Sequence, residues 1–143
     1  MEQENINALD EINKGSCMGM DAIKYVLDKV EDEKLKEELN LEFNNYKNIS
    51  EQINQLYSKY SSDNPHETNV VNKAMTWYGI QMKTLTDTSN SKIAELLLQG
   101  VNMGIIEGRK ILNNKKINNE VKDIISKYVT MQEDSVERLK KYL

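Results

Sequence analysis

Two glutamates stand inside apolar stripes of helical spacing, where burying an ionised carboxylate is costly. Glu42 falls between Leu39 and Tyr46 on one stripe, and Glu107 falls in a wide apolar arc that includes Met103. If two desolvated carboxylates converge, each raises the pKa of the other, and the pair can share a proton or capture one cation. The pattern therefore predicts a candidate polar site in an apolar interior.

Three interpretations of this pair remain open. In the first, Glu42 and Glu107, together with Tyr128, form a small site for a single iron, manganese or zinc ion. In the second, the two acids are structural and hydrogen-bonded to Tyr128, to Tyr46 or to a water, because a buried polar group needs a partner. In the third, one of the two glutamates is exposed.

The other residues that could do chemistry form no pattern typical of a catalytic or metal site. The chain has one histidine, His66, and one cysteine, Cys17, so it can form neither a Cys/His zinc cluster nor an intrachain disulfide. The seven methionines mostly recur at helical spacing on apolar faces, which is typical of core filling. There is no phosphate-binding glycine loop and no Ser-His-Asp pattern. The sequence therefore favours a protein without catalytic residues and without a cofactor, the single metal ion being the alternative.

The elements that must position these residues are helices. The 143 residues include one proline and six glycines, and apolar residues recur at intervals of three and four almost throughout. We predict a single all-α domain over residues 1–143, with a helical hairpin at 5–61, a crossover helix at 64–88 and a second hairpin at 91–142. The first helix is predicted over 5–31.

Polar segments mark the boundaries of these predicted helices. The acidic turn at 31–33 suits the N-terminus of the second helix. Asn64 as N-cap, Pro65 in the first turn and Glu67 in a capping box indicate the start of the crossover helix, which leaves His66 exposed. The apolar pattern lapses at 86–91, so we predict a break or kink there.

Composition excludes several classes of function. The formal net charge is −4, and lysine outnumbers arginine seventeen to two, so few guanidinium groups are present for phosphate recognition and nucleic-acid binding is not expected. The start of the chain is acidic and lacks the basic and apolar regions of a signal peptide, so we expect a cytoplasmic protein. Polar residues interrupt each apolar stretch, so we expect no membrane partner.

The two predicted hairpins resemble each other. A shift of 85 residues lays Gly15, Met18 and Gly19 over Gly100, Met103 and Gly104, and a shift of 86 continues the match through the second helix of each hairpin. Glycine costs about 1 kcal/mol against alanine inside a helix, so we expect the glycines to permit close backbone approach of the first and fourth helices. The pattern predicts an internal duplication.

Two antiparallel hairpins joined by a long connection resemble the ferritin-like four-helix bundle over nearly the whole chain. The segments at 75–87, 93–95 and 99–105 are similar to small ferritin-like proteins of low-GC Gram-positive bacteria. This resemblance implies a fold with a crossover helix and a bacterial lineage, but no activity.

The resemblance also implies where metal ligands would stand. Ferritin-like di-metal proteins place a Glu on each of two helices and a Glu-x-x-His on each of the other two. When the two halves are compared position by position, the six expected positions are occupied by Ala22, Glu42, Asn45, Glu107, Tyr128 and Met131. Two carboxylates without an imidazole do not make a di-iron site of that kind.

The leading hypothesis is therefore a non-catalytic ferritin-like bundle that acts through protein contacts, as a homo-oligomer or with another helical protein. Ile106, on the otherwise polar side of the fourth helix, is the residue most in need of an outside partner. The first alternative is a metal-dependent redox or storage protein built on the carboxylate site. The second is a small apolar ligand held among Met18, Met103 and Tyr128.

Overall fold

The described chain is helical. A computed structural model describes residues 2–61 and 73–143. Its elements are α1 (Glu2–Leu27), α2 (Glu33–Tyr57), α3 (Lys73–Lys83), α4 (Asn90–Asn114), α5 (Asn119–Leu139) and a final 3-10 turn (Lys140–Tyr142), and these residues include no strand. The predicted all-α class is confirmed.

The first connection is a short turn at residues 28–32. The carboxylate of Asp32 accepts a hydrogen bond from the backbone N–H of Leu35 at 2.9 Å and caps α2. This bond holds the pKa of Asp32 below its ordinary value. The predicted end of the first helix, at residue 31, is wrong, because the chain leaves the helix after Leu27 to reach this cap.

The predicted break between the crossover and the second hairpin is confirmed. The helix α3 ends at Lys83, and α4 begins at Asn90 with the Ser89 hydroxyl accepting from the N–H of Lys92 at 3.3 Å. The predicted crossover helix over 64–88 is therefore too long at its C-terminal end. Its predicted start at residues 64–67, which includes His66, lies outside the described residues.

Contacts at the two ends of the fold set the direction of α1 against α4. Near the end of α1, the amide of Asn90 donates to the carboxylate of Asp32 at 3.3 Å. Near its start, the backbone N–H of Asn118, which follows α4, donates to the side chain of Asn5 at 2.9 Å. The two helices are therefore antiparallel.

The helices α2 and α5 are antiparallel for the same reason. The amide of Asn118, at the start of α5, donates to the hydroxyl of Tyr60 just after α2, at 2.9 Å. At the other end, Arg138 of α5 pairs with Glu38 of α2. If α1 runs up, α2 and α4 run down and α5 runs up, so the connection through α3 must cross the length of the fold.

The core lies between these four helices. The predicted inner stripes of α2 and α5 are buried over most of their length, including the polar positions Glu42 and Gln132. Burying a large aliphatic side chain contributes about 1.5–3 kcal/mol. Fully buried examples come from each of the four helices: Leu9, Ile12, Leu35, Leu39, Ile53, Ile93, Ile125 and Leu139.

A helix that crosses a lipid bilayer must be long and predominantly apolar. Within residues 2–61 and 73–143, no helix is both long enough and apolar enough to cross a membrane.

Candidate ligand-binding cavity

Two glycines at matching positions of the two hairpins make room for polar side chains. A Cβ atom on Gly19 of α1 would lie 2.5–2.8 Å from three ring atoms of Tyr46 of α2. A Cβ atom on Gly104 of α4 would lie closer than 3 Å to the side-chain nitrogen of Gln132 of α5. Each glycine thus lets the neighbouring helix bring a large side chain into the interior.

A second contact concerns Tyr128 of α5. Its hydroxyl oxygen lies 2.5 Å from the position of a Cβ atom on Gly15 and 2.6 Å from that of a Cβ atom on Gly104. The two glycine-bearing helices therefore face each other across this hydroxyl. The predicted reason for the glycines needs correction, because the space they leave is filled by side chains from α2, α3 and α5 and not by the backbone of the opposite helix.

These packed side chains enclose a cavity of about 200 Å³ between α1 and α4. Every helix contributes at least two residues to its wall, and the wall is mostly apolar. Met18 and Met103 lie on opposite sides, and α3 covers one side with Met75 and Tyr78. Such a cavity with a few convergent polar groups is the usual form of a small-molecule site.

The structure brings all three predicted site residues to this cavity. Glu42, Glu107 and Tyr128 each line it. Glu42 is 3% exposed and Tyr128 is 1% exposed, whereas Glu107 is half-buried. Of the other positions compared with di-metal ligands, Ala22 also lines the cavity, but Asn45 and Met131 line a separate groove.

Glu42 carries the strongest electrostatic signal in the cavity wall. Burial raises the pKa of its carboxyl group to about 7, although a hydrogen bond with Ser135 and the positive charge of Arg138 act in the opposite direction. The charge of Glu38 adds to the increase in the pKa. The second carboxyl oxygen of Glu42, Oε2, is buried without a hydrogen-bond partner. The wall thus holds a carboxyl group that changes its charge near neutral pH and has one oxygen to offer.

Beside Glu42 lies a short chain of buried hydrogen bonds. The Tyr46 hydroxyl donates to Gln132 Oε1 at 2.7 Å, and Gln132 Nε2 donates to the Tyr128 hydroxyl at 3.2 Å. Burial raises the pKa of Tyr128 to about 12 and that of Tyr46 well above its ordinary value. Both phenols therefore stay protonated at neutral pH. The Tyr46 proton is used in the bond to Gln132, whereas Tyr128 accepts from Gln132 and can still donate its own proton.

The second interpretation, in which the two glutamates are structural and hydrogen-bonded to a tyrosine or a water, agrees with the structure only in part. Glu42 pairs with Ser135, and the two tyrosines pair through Gln132 instead. Tyr46 and Gln132 stand at helical spacing from the apolar residues of α2 and α5, but this spacing alone does not show which polar groups meet across two helices. Their matching positions in the two hairpins were the available signal.

The cavity opens beside Ile106, which lines it and is 52% exposed. Glu11 of α1 is the other exposed residue in the cavity wall. Tyr78 of α3 packs against Gly100 of α4. A Cβ atom on Gly100 would lie 2.7 Å from the Tyr78 hydroxyl oxygen. The sequence indicated Tyr78 as a packing residue, and the structure adds that α3 forms part of the cavity wall.

The resemblance to ferritin-like proteins implies a di-metal site, which needs glutamate and histidine ligands that face one cavity. Three glutamates and three tyrosines line the cavity, and no cluster of three or more His, Cys, Asp or Glu side chains that could hold a metal ion occurs in the part of the chain that the structure describes. These residues do not fit a di-metal centre. Binding of a single iron, manganese or zinc ion at Glu42, Glu107 and Tyr128 stays a prediction.

Comparisons with known proteins identify no relative. No model of a protein family matches this chain, and neither curated proteins nor solved structures give a match. The fold and the cavity therefore define only a class: an all-α protein with a carboxyl-bearing, mostly apolar cavity between its helices.

Proposed function

We propose that this protein is a non-catalytic, ferritin-like four-helix bundle that binds a small, mostly apolar molecule in the cavity between α1 and α4. The observation that carries the proposal is Glu42 Oε2, a buried acceptor without a partner in a mostly apolar wall. An unsatisfied buried acceptor costs about 1–3 kcal/mol, which a ligand with a suitable donor would recover.

The helix directions support the ferritin-like part of this proposal. Two antiparallel hairpins, joined by a connection that crosses the length of the fold, give the up-down-down-up order of bundles with one long crossover. The cavity wall supports the duplication. Residues that match under the shifts of 85 and 86 line it in pairs: Gly15 with Gly100, Met18 with Met103, Gly19 with Gly104, Ala22 with Glu107, Glu42 with Tyr128, and Tyr46 with Gln132.

The size of the cavity sets the size of the ligand. An engineered cavity of about 150 Å³ in another protein accepts benzene. A cavity of about 200 Å³ therefore accepts one substituted aromatic ring or a branched chain of similar volume. Because the cavity opens beside Ile106, a substituent can extend towards solvent.

A cavity-filling variant tests the proposal. A set of small amphipathic compounds is screened by thermal unfolding against the wild type and against Ala22→Phe, in which a ring replaces a methyl group in the cavity wall. We expect some compounds to raise the Tm of the wild type and none to raise that of Ala22→Phe. Leu41→Phe, at an exposed position of α2, is the matched control and should respond like the wild type.

Two results would contradict the proposal. One is a screen in which no compound raises the Tm of the wild type. The other is a Tm increase that persists in Ala22→Phe, because binding would then lie elsewhere. Denaturant unfolding of Ala22→Phe without compounds confirms that the variant is folded before the comparison is made.

A second function, association with a further copy or with another helical protein, is favoured by the exposed apolar side chains. Ile106, Trp77 and Ile80 are 52%, 48% and 53% exposed. Sedimentation equilibrium should give a mass above that of one chain, and Ile106→Lys should weaken the association at least tenfold. A single-chain mass at all concentrations in both proteins contradicts this function.

A further inference from the structure

The cavity wall is acidic. Glu11, Glu42 and Glu107 line it, and no lysine, arginine or histidine is among the described residues that do so. Lys14 lies 4.0 Å from Glu11 and offsets that charge at the mouth. Of the remaining two residues, Glu107 is half-buried, and Glu42 is buried in the interior, where charges are poorly screened. A positively charged ligand is favoured there and a negatively charged one is disfavoured.

The hydrogen-bond inventory shows what the ligand must offer. Glu42 is 3% exposed, and its Oε2 atom is a buried acceptor without a hydrogen-bond partner. The amide of Gln132 is used on both sides by Tyr46 and Tyr128. The free capacity at Glu42 itself is therefore for a donor, while the Tyr128 hydroxyl still has a proton to donate.

Aromatic rings complete the environment. Tyr46, Tyr78 and Tyr128 line the cavity from three different helices. Aromatic faces attract ammonium groups and also pack against apolar carbon, so they suit a molecule that has both.

We infer that the ligand is a small apolar primary amine, bound as its ammonium ion with one N–H donated to Glu42 Oε2. This inference rests on the proposed binding function. The cavity volume of about 200 Å³ limits the apolar part to about one aromatic ring. A neutral alcohol of the same shape can donate the same hydrogen bond to Glu42 but lacks the positive charge. A carboxylate of the same shape is repelled by the negative charges of the glutamates in the wall.

The binding should depend on pH through Glu42. Its surroundings comprise Glu38 on α2 and Arg138 on α5, while Glu11, Glu107 and the three tyrosines face the same cavity. Because Glu42 has a pKa of about 7, its ionised fraction increases about tenfold from about pH 6 to about pH 8. An ammonium ion binds the ionised form, so its affinity should rise about tenfold over this range.

The experiment compares benzylamine, benzyl alcohol and benzoate, which have similar shapes and differ in charge. Titration of the wild-type protein is followed by isothermal calorimetry or by protein NMR. At about pH 8 we expect benzylamine to bind about tenfold more tightly than benzyl alcohol, and benzoate to bind least. Only benzylamine should gain affinity between about pH 6 and about pH 8.

A variant assigns the effect to Glu42. Glu42→Gln should reduce benzylamine affinity about tenfold at pH 8 and remove its pH dependence, while benzyl alcohol affinity changes less than about threefold. Glu51→Gln removes the same charge at an exposed position of α2 and should behave like the wild type. The pH series uses wild-type protein, so the test stands even if a variant does not fold.

The outcomes separate the two proposals. If neither benzylamine nor benzyl alcohol binds, the binding function itself is wrong. If benzyl alcohol or benzoate binds as tightly as benzylamine, or if benzylamine gains no affinity as the pH rises, the cavity binds small molecules but the amine inference is overturned.

Discussion

Replacing Glu42 with glutamine should make this protein more stable at alkaline pH. Glu42 is 3% exposed, and burial raises the pKa of its carboxyl group to about 7 from an ordinary value of 4.5. An acid with a raised pKa in the folded state binds its proton more tightly there than in the unfolded chain. The stability that Glu42 contributes is therefore fully present below about pH 4.5 and is lost as the pH rises through about 7. Glutamine has the same shape and does not titrate.

The size of the effect follows from the pKa difference. Each pKa unit corresponds to about 1.4 kcal/mol, so the shift of Glu42 is equivalent to about 3 kcal/mol in the free energy of unfolding. Of this, roughly 2.5 kcal/mol falls between about pH 5 and about pH 8. Groups with lowered pKa values, such as Asp32 and Glu120, act at lower pH and are common to both proteins.

Denaturant unfolding followed by far-UV circular dichroism measures the prediction. At about pH 5 the two proteins should differ by less than about 1 kcal/mol in the free energy of unfolding. At about pH 8 Glu42→Gln should be the more stable by about 2–3 kcal/mol. Glu51→Gln, which changes an exposed residue of the same helix, should follow the wild type at both pH values.

The result that would refute this reasoning is a constant difference between Glu42→Gln and the wild type from pH 5 to pH 8. It would mean that Glu42 titrates equally in the folded and unfolded chains, and the description of a desolvated carboxyl group in the cavity wall would be wrong. A lower stability of the variant at pH 8 would have the same consequence, because the ionised carboxylate would then be the favoured form.

Three further outcomes test the packing and the polar groups. Gly19→Ala should lower the free energy of unfolding by about 1–3 kcal/mol, because its Cβ atom would lie 2.5–2.8 Å from ring atoms of Tyr46. Gly79→Ala should raise the free energy of unfolding by about 1 kcal/mol, because a Cβ atom there would have nothing within 4 Å. Equal effects of the two substitutions in denaturant unfolding would contradict this. Tyr46→Phe leaves the carbonyl of Gln132 without its donor and should cost about 1–3 kcal/mol in the same assay. Elemental analysis of untagged protein tests the single-metal hypothesis: bound metal that is lost in Glu107→Gln supports it, and metal-free wild type contradicts it.

Much of the fold follows from spacing alone. Apolar residues at intervals of three and four predict the helices, and the cap-forming residues Asp32 and Ser89 stand where α2 and α4 begin. The ends of α1 and α3 were harder to predict. Whether a helix continues through a residue such as Asp28 depends on the competing turn and cap, which helical periodicity does not describe.

The residues of the site could be predicted from the sequence, but their hydrogen-bond partners were harder to predict. The positions of Glu42 and Tyr128 in apolar stripes indicate that both face the interior, as the structure shows. The partner of Glu42 is Ser135, and Tyr128 pairs with Gln132, because the relative height of two packed helices decides which groups meet. A sequence pattern on one helix contains no information on that height.

A carboxyl group that weakens the fold near neutral pH calls for a physical explanation. If the two hairpins are copies, the small and apolar cavity positions, such as Gly19 with Gly104 and Met18 with Met103, keep the same residue type. Every pair that contains a polar residue differs between the two hairpins. Glu42, for example, matches Tyr128 under the shift of 86 residues. A symmetrical wall would offer the same groups twice, whereas this one has its buried carboxyl group, Glu42, in one hairpin only. A molecule with one donor end and one apolar end requires such a wall, and its bound ammonium group would offset the cost of ionising Glu42.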